Sequence, residues 1–238
     1  MDTPNESVIS RATGGSLADR AAGRVRRKMY RRLAALVPLE TLESVLDVGV
    51  TADRELVSSN FFEELYPHPE RITALSNQDA RWMETHFRGL SFVQSSALAI
   101  PFAGNSFDLV FSNAVIEHVG RRDNQKQLLK ECARVARRFV FLTTPNRYHP
   151  MEFHTVLPLI HFLPKKMHRA ILKKLGMDFF AREENLNLLS KQDMSTLARQ
   201  AWTSGVSAGS APNSWALYSE RFLGFTSNLL LFAKKGAM

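Results

Sequence analysis

The sequence predicts an α/β fold organised around a mostly parallel sheet. Two short runs carry the prediction: Ser44-Val45-Leu46-Asp47-Val48-Gly49-Val50 and Phe107-Asp108-Leu109-Val110-Phe111-Ser112-Asn113. Each is mainly apolar and stops abruptly at small or polar residues, which suits a strand covered on both faces. The third observation is rhythm. Strand-like runs alternate with amphipathic helical patterns, as right-handed βαβ units require. Ligands of such sheets sit beyond the carboxyl ends of the strands, so the residues at which the runs stop become site candidates.

Taken in order, residues 1–15 are polar and aperiodic and contain Gly14-Gly15, so disorder is expected there. Residues 16–37 read as a basic amphipathic helix. Leu17, Ala21, Val25, Met29, Leu33 and Val37 recur every four residues, with Arg20, Arg24, Arg26, Arg27, Lys28, Arg31 and Arg32 between them. Ser16 and Asp19 suit a capping box, and Pro38 ends the helix. Strands are expected at about 44–48, 71–75, 91–94, 107–111 and 139–143. A short helix over 59–65 stops near Pro67, and a longer one runs through Leu128–Ala136. The single cysteine, Cys132, lies in that longer helix and reads as a small core residue; one cysteine permits no internal disulfide.

After Pro145 the texture changes. Residues 146–189 are rich in histidine and aromatics, with helical patterns around 156–163 and 165–175 and a helix stop at Gly176. Ser190-Lys191-Gln192-Asp193 is a second capping box, opening a helix through Met194, Leu197, Ala198 and Ala201. Residues 203–214 are rich in Gly, Ser and Ala and promise at most a weak strand. Asn228–Ala233 is the final strand. Residues 16–238 read as one domain.

A chain of 238 residues buries a full core, and its net charge of +8 favours anionic partners. The basic helix reads as a solvated face. The amino terminus lacks the apolar run of a signal peptide and no stretch reaches transmembrane length, so a cytoplasmic protein is expected. The apolar stretch 153–162 beside Lys165, Lys166, Arg169, Lys173 and Lys174 has the texture of an interfacial lid that could touch an anionic membrane. A helical pair packed on the domain is the preferred reading.

Four segments resemble the class I S-adenosylmethionine-dependent methyltransferases, in particular the small-molecule branch called type 11. They are Val45-Leu46-Asp47-Val48-Gly49, Ala97-Leu98-Ala99-Ile100-Pro101-Phe102, Asn105-Ser106-Phe107-Asp108-Leu109-Val110 and Val115-Ile116-Glu117-His118-Val119. They occur in family order with family spacing, and the resemblance covers roughly residues 40–145. It implies a Rossmann-like fold: a mostly parallel seven-stranded sheet with an antiparallel last strand, flanked by helices. It implies S-adenosyl-L-methionine as cofactor. Asp47, Gly49, Val50 and Thr51 would face its methionyl part. Leu75, Ser76 and Asn77 would lie at the ribose, Ser95, Ser96 and Ala97 at the adenine, and Ser112, Asn113 and Ala114 again at the methionyl group. Residues 146–189 become an insertion or lid over the active site.

The chain departs from the family pattern in three places. Thr51 and Asp53 replace two glycines of Asp-x-Gly-x-Gly-x-Gly. No acid stands directly at the end of the second strand, so Ser76 or Asn77 takes the ribose or Asp79 reaches back to it, and Ser95-Ser96-Ala97 stands where Gly-Asp-Ala is common. A sulfonium donor carries its own reactivity, so the protein must hold it and aim an acceptor in line. Glu117 and His118 read as the start of the helix that follows the fourth strand. His118 there, and His149, Glu152 and His154 after the fifth strand, are candidate bases for that acceptor. Their proline-broken loop has no recognised ligand spacing, so no metal is expected. The acceptor is expected to be a small molecule or a lipid- or sugar-linked group, methylated at oxygen or nitrogen. An RNA methyltransferase is the alternative prompted by charge, but the Asn-Pro-Pro-Tyr type of signature is missing at Ser112-Asn113-Ala114-Val115. A degenerate binding subunit without catalysis is the alternative prompted by the lost glycines.

Overall fold

The computed structural model describes residues 17–54, 60–152, 154–203 and 211–236. The expected disordered tail, 1–15, and the Ser16 cap lie outside them. The chain opens with α1 (Leu17–Leu36) and then builds β1 (Val45–Val48), α2 (Phe61–Leu65), β2 (Ile72–Ser76), α3 (Trp82–His86) and β3 (Ser91–Gln94). There follow β4 (Phe107–Asn113), α4 (Arg122–Val135) and β5 (Ala136–Pro145). The remainder is α5 (Lys165–Lys174), α6 (Asp178–Ala181), α7 (Lys191–Thr203), β6 (Ser214–Phe222) and β7 (Phe225–Lys234).

The seven strands form one sheet in the order β3-β2-β1-β4-β5-β7-β6. Neighbours from β3 to β5 pair in parallel, and β7 runs antiparallel to both β5 and β6. The central strands β1, β4 and β5 are mostly apolar and buried because both faces are covered, whereas the edge strands β3 and β6 stay partly exposed. Side chains alternate across a strand, so Val45, Leu109 and Phe111 enter a core with Met29, Leu33, Phe61 and Phe62 of α1 and α2. Leu46, Val48 and Val110 enter the opposite core with Leu128, Leu129 and Cys132 of α4 and Leu197 and Trp202 of α7. Cys132 is fully buried, as expected, and burial pushes its thiol upward.

Three expectations need correction. The pattern over 156–163 is not a regular helix: only a 3-10 turn forms at Ile160–Phe162, and Val156 and Leu159 take positive φ on either side of Pro158. Glu117 and His118 do not begin α4; they lie in a separate 3-10 turn, Ile116–His118, before it. The strand Ser214–Phe222, beyond the weak 203–214 stretch, was not anticipated. It forms the sheet edge beside β7 and is secured by tertiary pairing that no local pattern signals.

The segment between β5 and α7 packs against the turn after β4: Asn187 N–H donates to the Glu117 carbonyl, and His154 meets His118. Its small core is Leu172, Phe180, Leu186 and Leu188. Gly176, at φ +73°, ends α5 as expected: its N–H donates to the Lys173 carbonyl, and that of Met177 to the Leu172 carbonyl. Arg147 pins the segment by donating to the carbonyls of His161 and Leu163.

Candidate active site

The register brings the candidate cofactor residues to one edge of the sheet. Val48 pairs with Leu75, Ser76 with Gln94, and Asp47 with Phe111. The turns that follow, at Gly49–Thr51, Ser76–Asn77, Ser95–Ala97 and Ser112–Ala114, therefore stand side by side. The Leu75 carbonyl accepts from the N–H groups of Gly49 (2.7 Å) and Val50 (3.3 Å), and the buried Ser112 hydroxyl donates to the Val48 carbonyl at 2.9 Å. Gln94 donates to the Asn77 carbonyl, and Ser95 N–H to that of Ser76. Ser96 is exposed; its Oγ accepts from Leu98 N–H and shapes the turn. Ala97 packs against the sheet core, and Asn113 accepts from the Thr143 hydroxyl at 2.6 Å.

Gly49 has φ +90°, and a Cβ added there would stand 2.2 Å from Val115 Cγ2. The glycine is thus required by the turn and by the close approach of Val115. The lost glycines downstream are replaced by side-chain bracing. Thr51 N–H donates to Asn60 Oδ1 and Asn60 Nδ2 donates to the Thr51 carbonyl, while Trp82 Nε1 holds the Ala52 carbonyl at 3.0 Å. Val50 turns inward and is buried. Beneath the turn, burial pushes the Asp47 carboxyl well above the usual carboxylate range, and the neighbouring Glu63 carboxyl adds to the rise. Burial raises Glu63 to about 7. Asn60, Glu63 and Trp82 were not singled out from sequence, because nothing local marks them as partners of the first turn.

Beyond the ends of β4 and β5 lies a second constellation. His118, Glu152 and His154, all expected site residues, converge there with Glu117. The Nε2 atoms of His118 and His154 stand 3.0 Å apart. His118 Nδ1–H donates to the Asn185 carbonyl at 2.7 Å, and His154 Nδ1–H to Glu152 Oε1 at 2.7 Å. Glu152 Oε2 also accepts from the N–H and hydroxyl of Thr155, both at 2.6 Å. Glu117 is fully buried. Its Oε2 accepts from Thr144, while Oε1 has no hydrogen-bond partner and lies 4.0 Å from both facing imidazole nitrogens.

Burial raises the Glu117 carboxyl. Burial also lowers His118 to about 4, and the His154 charge pushes the same way. For His154 burial acts downward too, but the Glu152 hydrogen bond and charge leave it raised. Glu152 is held down at about 2 against its burial, by His154 and Thr155. His118 keeps 26% of its side-chain surface, so the constellation opens to solvent on that side. His149 does not join it: the ring is buried near Phe222 and Phe225, with Nδ1 at 2.9 Å from the Met151 carbonyl. Glu117 could have been found from sequence as the acid preceding His118 after an apolar strand.

The described residues contain no helix long and apolar enough to cross a membrane. The family model described as "Methyltransferase domain" matches residues 58–141, from α2 through most of β5. No curated protein matches the chain in sequence. Among solved structures, the N-methyltransferase NodS from Bradyrhizobium japonicum WM9 is similar at 12% identity and TM-score 0.51, over 89% of this chain and 97% of that one. NodS is also known in complex with S-adenosyl-l-homocysteine. The methyltransferase domain of bacterial CtHen1 is similar at 13% identity and TM-score 0.54, over 88% of this chain and 99% of that one. The PH0226 protein from Pyrococcus horikoshii OT3 reaches TM-score 0.55 at 16% identity, over 93% of each chain. The 3-2-1-4-5-7-6 sheet and these likenesses show that the chain has the Rossmann-like fold of the class I S-adenosylmethionine-dependent methyltransferases, and residues 58–141 match the methyltransferase-domain model.

Proposed function

We propose that the chain is an S-adenosylmethionine-dependent methyltransferase that methylates a hydroxyl group of a small-molecule or lipid- or sugar-linked acceptor. One observation carries the reading: the buried Glu117–His118–His154–Glu152 constellation at the strand-end rim, open on the His118 side. An amine is nucleophilic as it stands, whereas a hydroxyl needs its proton removed or its developing negative charge stabilised. Nitrogens and carboxylates held by a supporting shell supply such a place. In the transfer, the acceptor oxygen forms a bond to the methyl carbon and the carbon–sulfur bond of the donor breaks. S-adenosylhomocysteine leaves, and the hydroxyl proton passes to the enzyme.

In this reading Gly49, Val50, Thr51 and Asp47 border the methionyl part of the donor, together with Ser112, Asn113 and Ala114. Leu75, Ser76 and Asn77 lie at the ribose, and Ser95, Ser96 and Ala97 at the adenine. The segment 146–189 covers the acceptor and excludes water. Calorimetric titration with S-adenosylmethionine and S-adenosylhomocysteine, followed by labelled-methyl transfer to hydroxyl- and amine-bearing acceptors, tests it. Hydroxyl methylation is expected, with His154→Ala lowering the maximal rate about a hundredfold or more while donor affinity stays nearly unchanged. Transfer to amines only, insensitive to His154→Ala, overturns the hydroxyl assignment. Transfer to RNA would replace the acceptor class, and absence of donor binding would leave a non-catalytic subunit.

A further inference from the structure

We infer that Glu117, His118 and His154 form a binding site for a divalent transition-metal ion at the acceptor end of the active site. The three donor atoms, Glu117 Oε1 and the two Nε2 nitrogens, lie within 4.8 Å of one another. Each imidazole has its Nδ1 on an acceptor, a carbonyl for His118 and a carboxylate for His154. The partners assign the ring proton to Nδ1 in both, so both Nε2 atoms present lone pairs. Two lone pairs facing at 3.0 Å repel unless a proton or a cation lies between them.

A single shared proton would satisfy the nitrogens but would leave Glu117 Oε1, buried and without a partner, 4.0 Å away. A divalent ion satisfies all three. Nitrogens 3.0 Å apart can both lie about 2.1 Å from one ion, with a right angle between them. The carboxylate closes onto the same ion by a small rotation. Two histidines and one carboxylate leave further coordination positions open for an exogenous oxygen.

The surroundings are those that ligands to a metal receive. The Nδ1 partners set tautomer and ring orientation. Thr144 orients the Glu117 carboxylate, and Asn187 N–H donates to the Glu117 carbonyl at 2.7 Å. Thr155 and the His154 backbone hold Glu152, which is therefore a positioning residue for His154. The site departs from the sequence expectation of no metal. That expectation considered His149, Glu152 and His154, of which only His154 is a ligand here. The other two ligands come from the turn after β4, brought across by tertiary folding.

The catalytic meaning of the site rests on the hydroxyl-acceptor reading: an ion there would bind the acceptor oxygen and ease loss of its proton. The binding of the ion does not depend on that reading. Chelator-stripped protein titrated separately with Zn2+, Mn2+ and Co2+ tests it, with calorimetry and the Co2+ visible absorption as readouts. One equivalent is expected. Glu117→Gln, His118→Ala and His154→Ala should each weaken binding at least tenfold, Glu152→Gln to a lesser degree, and His68→Ala not at all.

Absence of a bound equivalent, or one whose affinity is unchanged in all three ligand variants, overturns the site in favour of a proton shared by the imidazoles. Circular dichroism checks folding of the variants. If they fail to fold, anomalous diffraction from wild-type crystals grown with Zn2+ or Mn2+ decides, by a peak between the two Nε2 atoms or none. A parallel titration with S-adenosylhomocysteine keeps the outcomes apart. Ion binding without donor binding overturns the proposed function alone, and donor binding without ion overturns the metal alone.

Discussion

Two carboxyls buried beneath the first turn set a pH dependence on the fold. Glu63 is raised by burial from 4.5 to about 7, and Asp47 is raised beside it. A raised native pKa means that the native state holds more protons than the unfolded chain. The stabilisation is therefore complete below about pH 4.5 and is lost as pH rises through about 7. Urea unfolding across this window should show stability falling with pH, and Glu63→Gln should flatten the fall. An equal slope in the variant would show that other groups carry the effect. At Gly49 the structure changes the meaning of an obvious substitution. A bulky residue there strikes Val115 and must hold φ at +90°, so loss of donor binding in Gly49→Leu would reflect a damaged turn as much as an obstructed ligand.

At the scale of elements, the basic helix α1 is a packing element. Val25, Met29, Leu33 and Val37 are buried against the sheet, whereas Arg24, Arg27, Lys28 and Arg31 are exposed. Arg32 is spent on the domain itself, donating to Glu220 at 3.1 Å and lying over the Tyr218 ring. Leu33→Ala should destabilise the protein by about 2–5 kcal/mol, because it opens a cavity at a fully buried position. Lys28→Ala should change stability by no more than about 0.5 kcal/mol. Denaturant midpoints of the two variants check this, and equal losses would contradict the assignment of faces. The capping box at α7 is formed as the residues suggested: Ser190 and Asp193 exchange backbone-to-side-chain bonds, both at 3.1 Å.

For the whole molecule, the proposed function implies that a donor bound along the four strand-end turns braces the sheet against unfolding. A ligand that binds only the native state, at a hundredfold excess over its Kd, stabilises it by about 2.7 kcal/mol. For a chain of this length that raises Tm by roughly 5–10 °C. A thermal shift with S-adenosylhomocysteine measures it, and an unmoved Tm at saturating ligand would count against donor binding. The same scale explains why the Glu117–His118–His154 constellation draws on segments far apart in the chain. Glu117 and His118 follow β4, His154 follows β5, and Asn185 and Asn187 come from the approach to α7. These segments meet only once the sheet has set the relative positions of its strand ends.

The sequence by itself determined the layered α/β architecture, the first five strands, the cap of α7 and the small and polar turns gathered at the carboxyl edge of the sheet. Each of these follows from local patterns: apolar runs for strands covered on both faces, four-residue spacing for helices, Ser and Asp at a helix start. It named His118, Glu152 and His154 as candidates but could not pair them. Only the tertiary structure placed His118 Nε2 against His154 Nε2, added Glu117 from a turn read as a helix start, and moved His149 to a separate buried position near Phe222. It also decided the edge strand β6 and the bracing of the first turn by Asn60 and Trp82. The reason is common to all of these. They depend on contacts between segments far apart in the chain, and local periodicity carries no information about which distant residue will arrive at a given strand end.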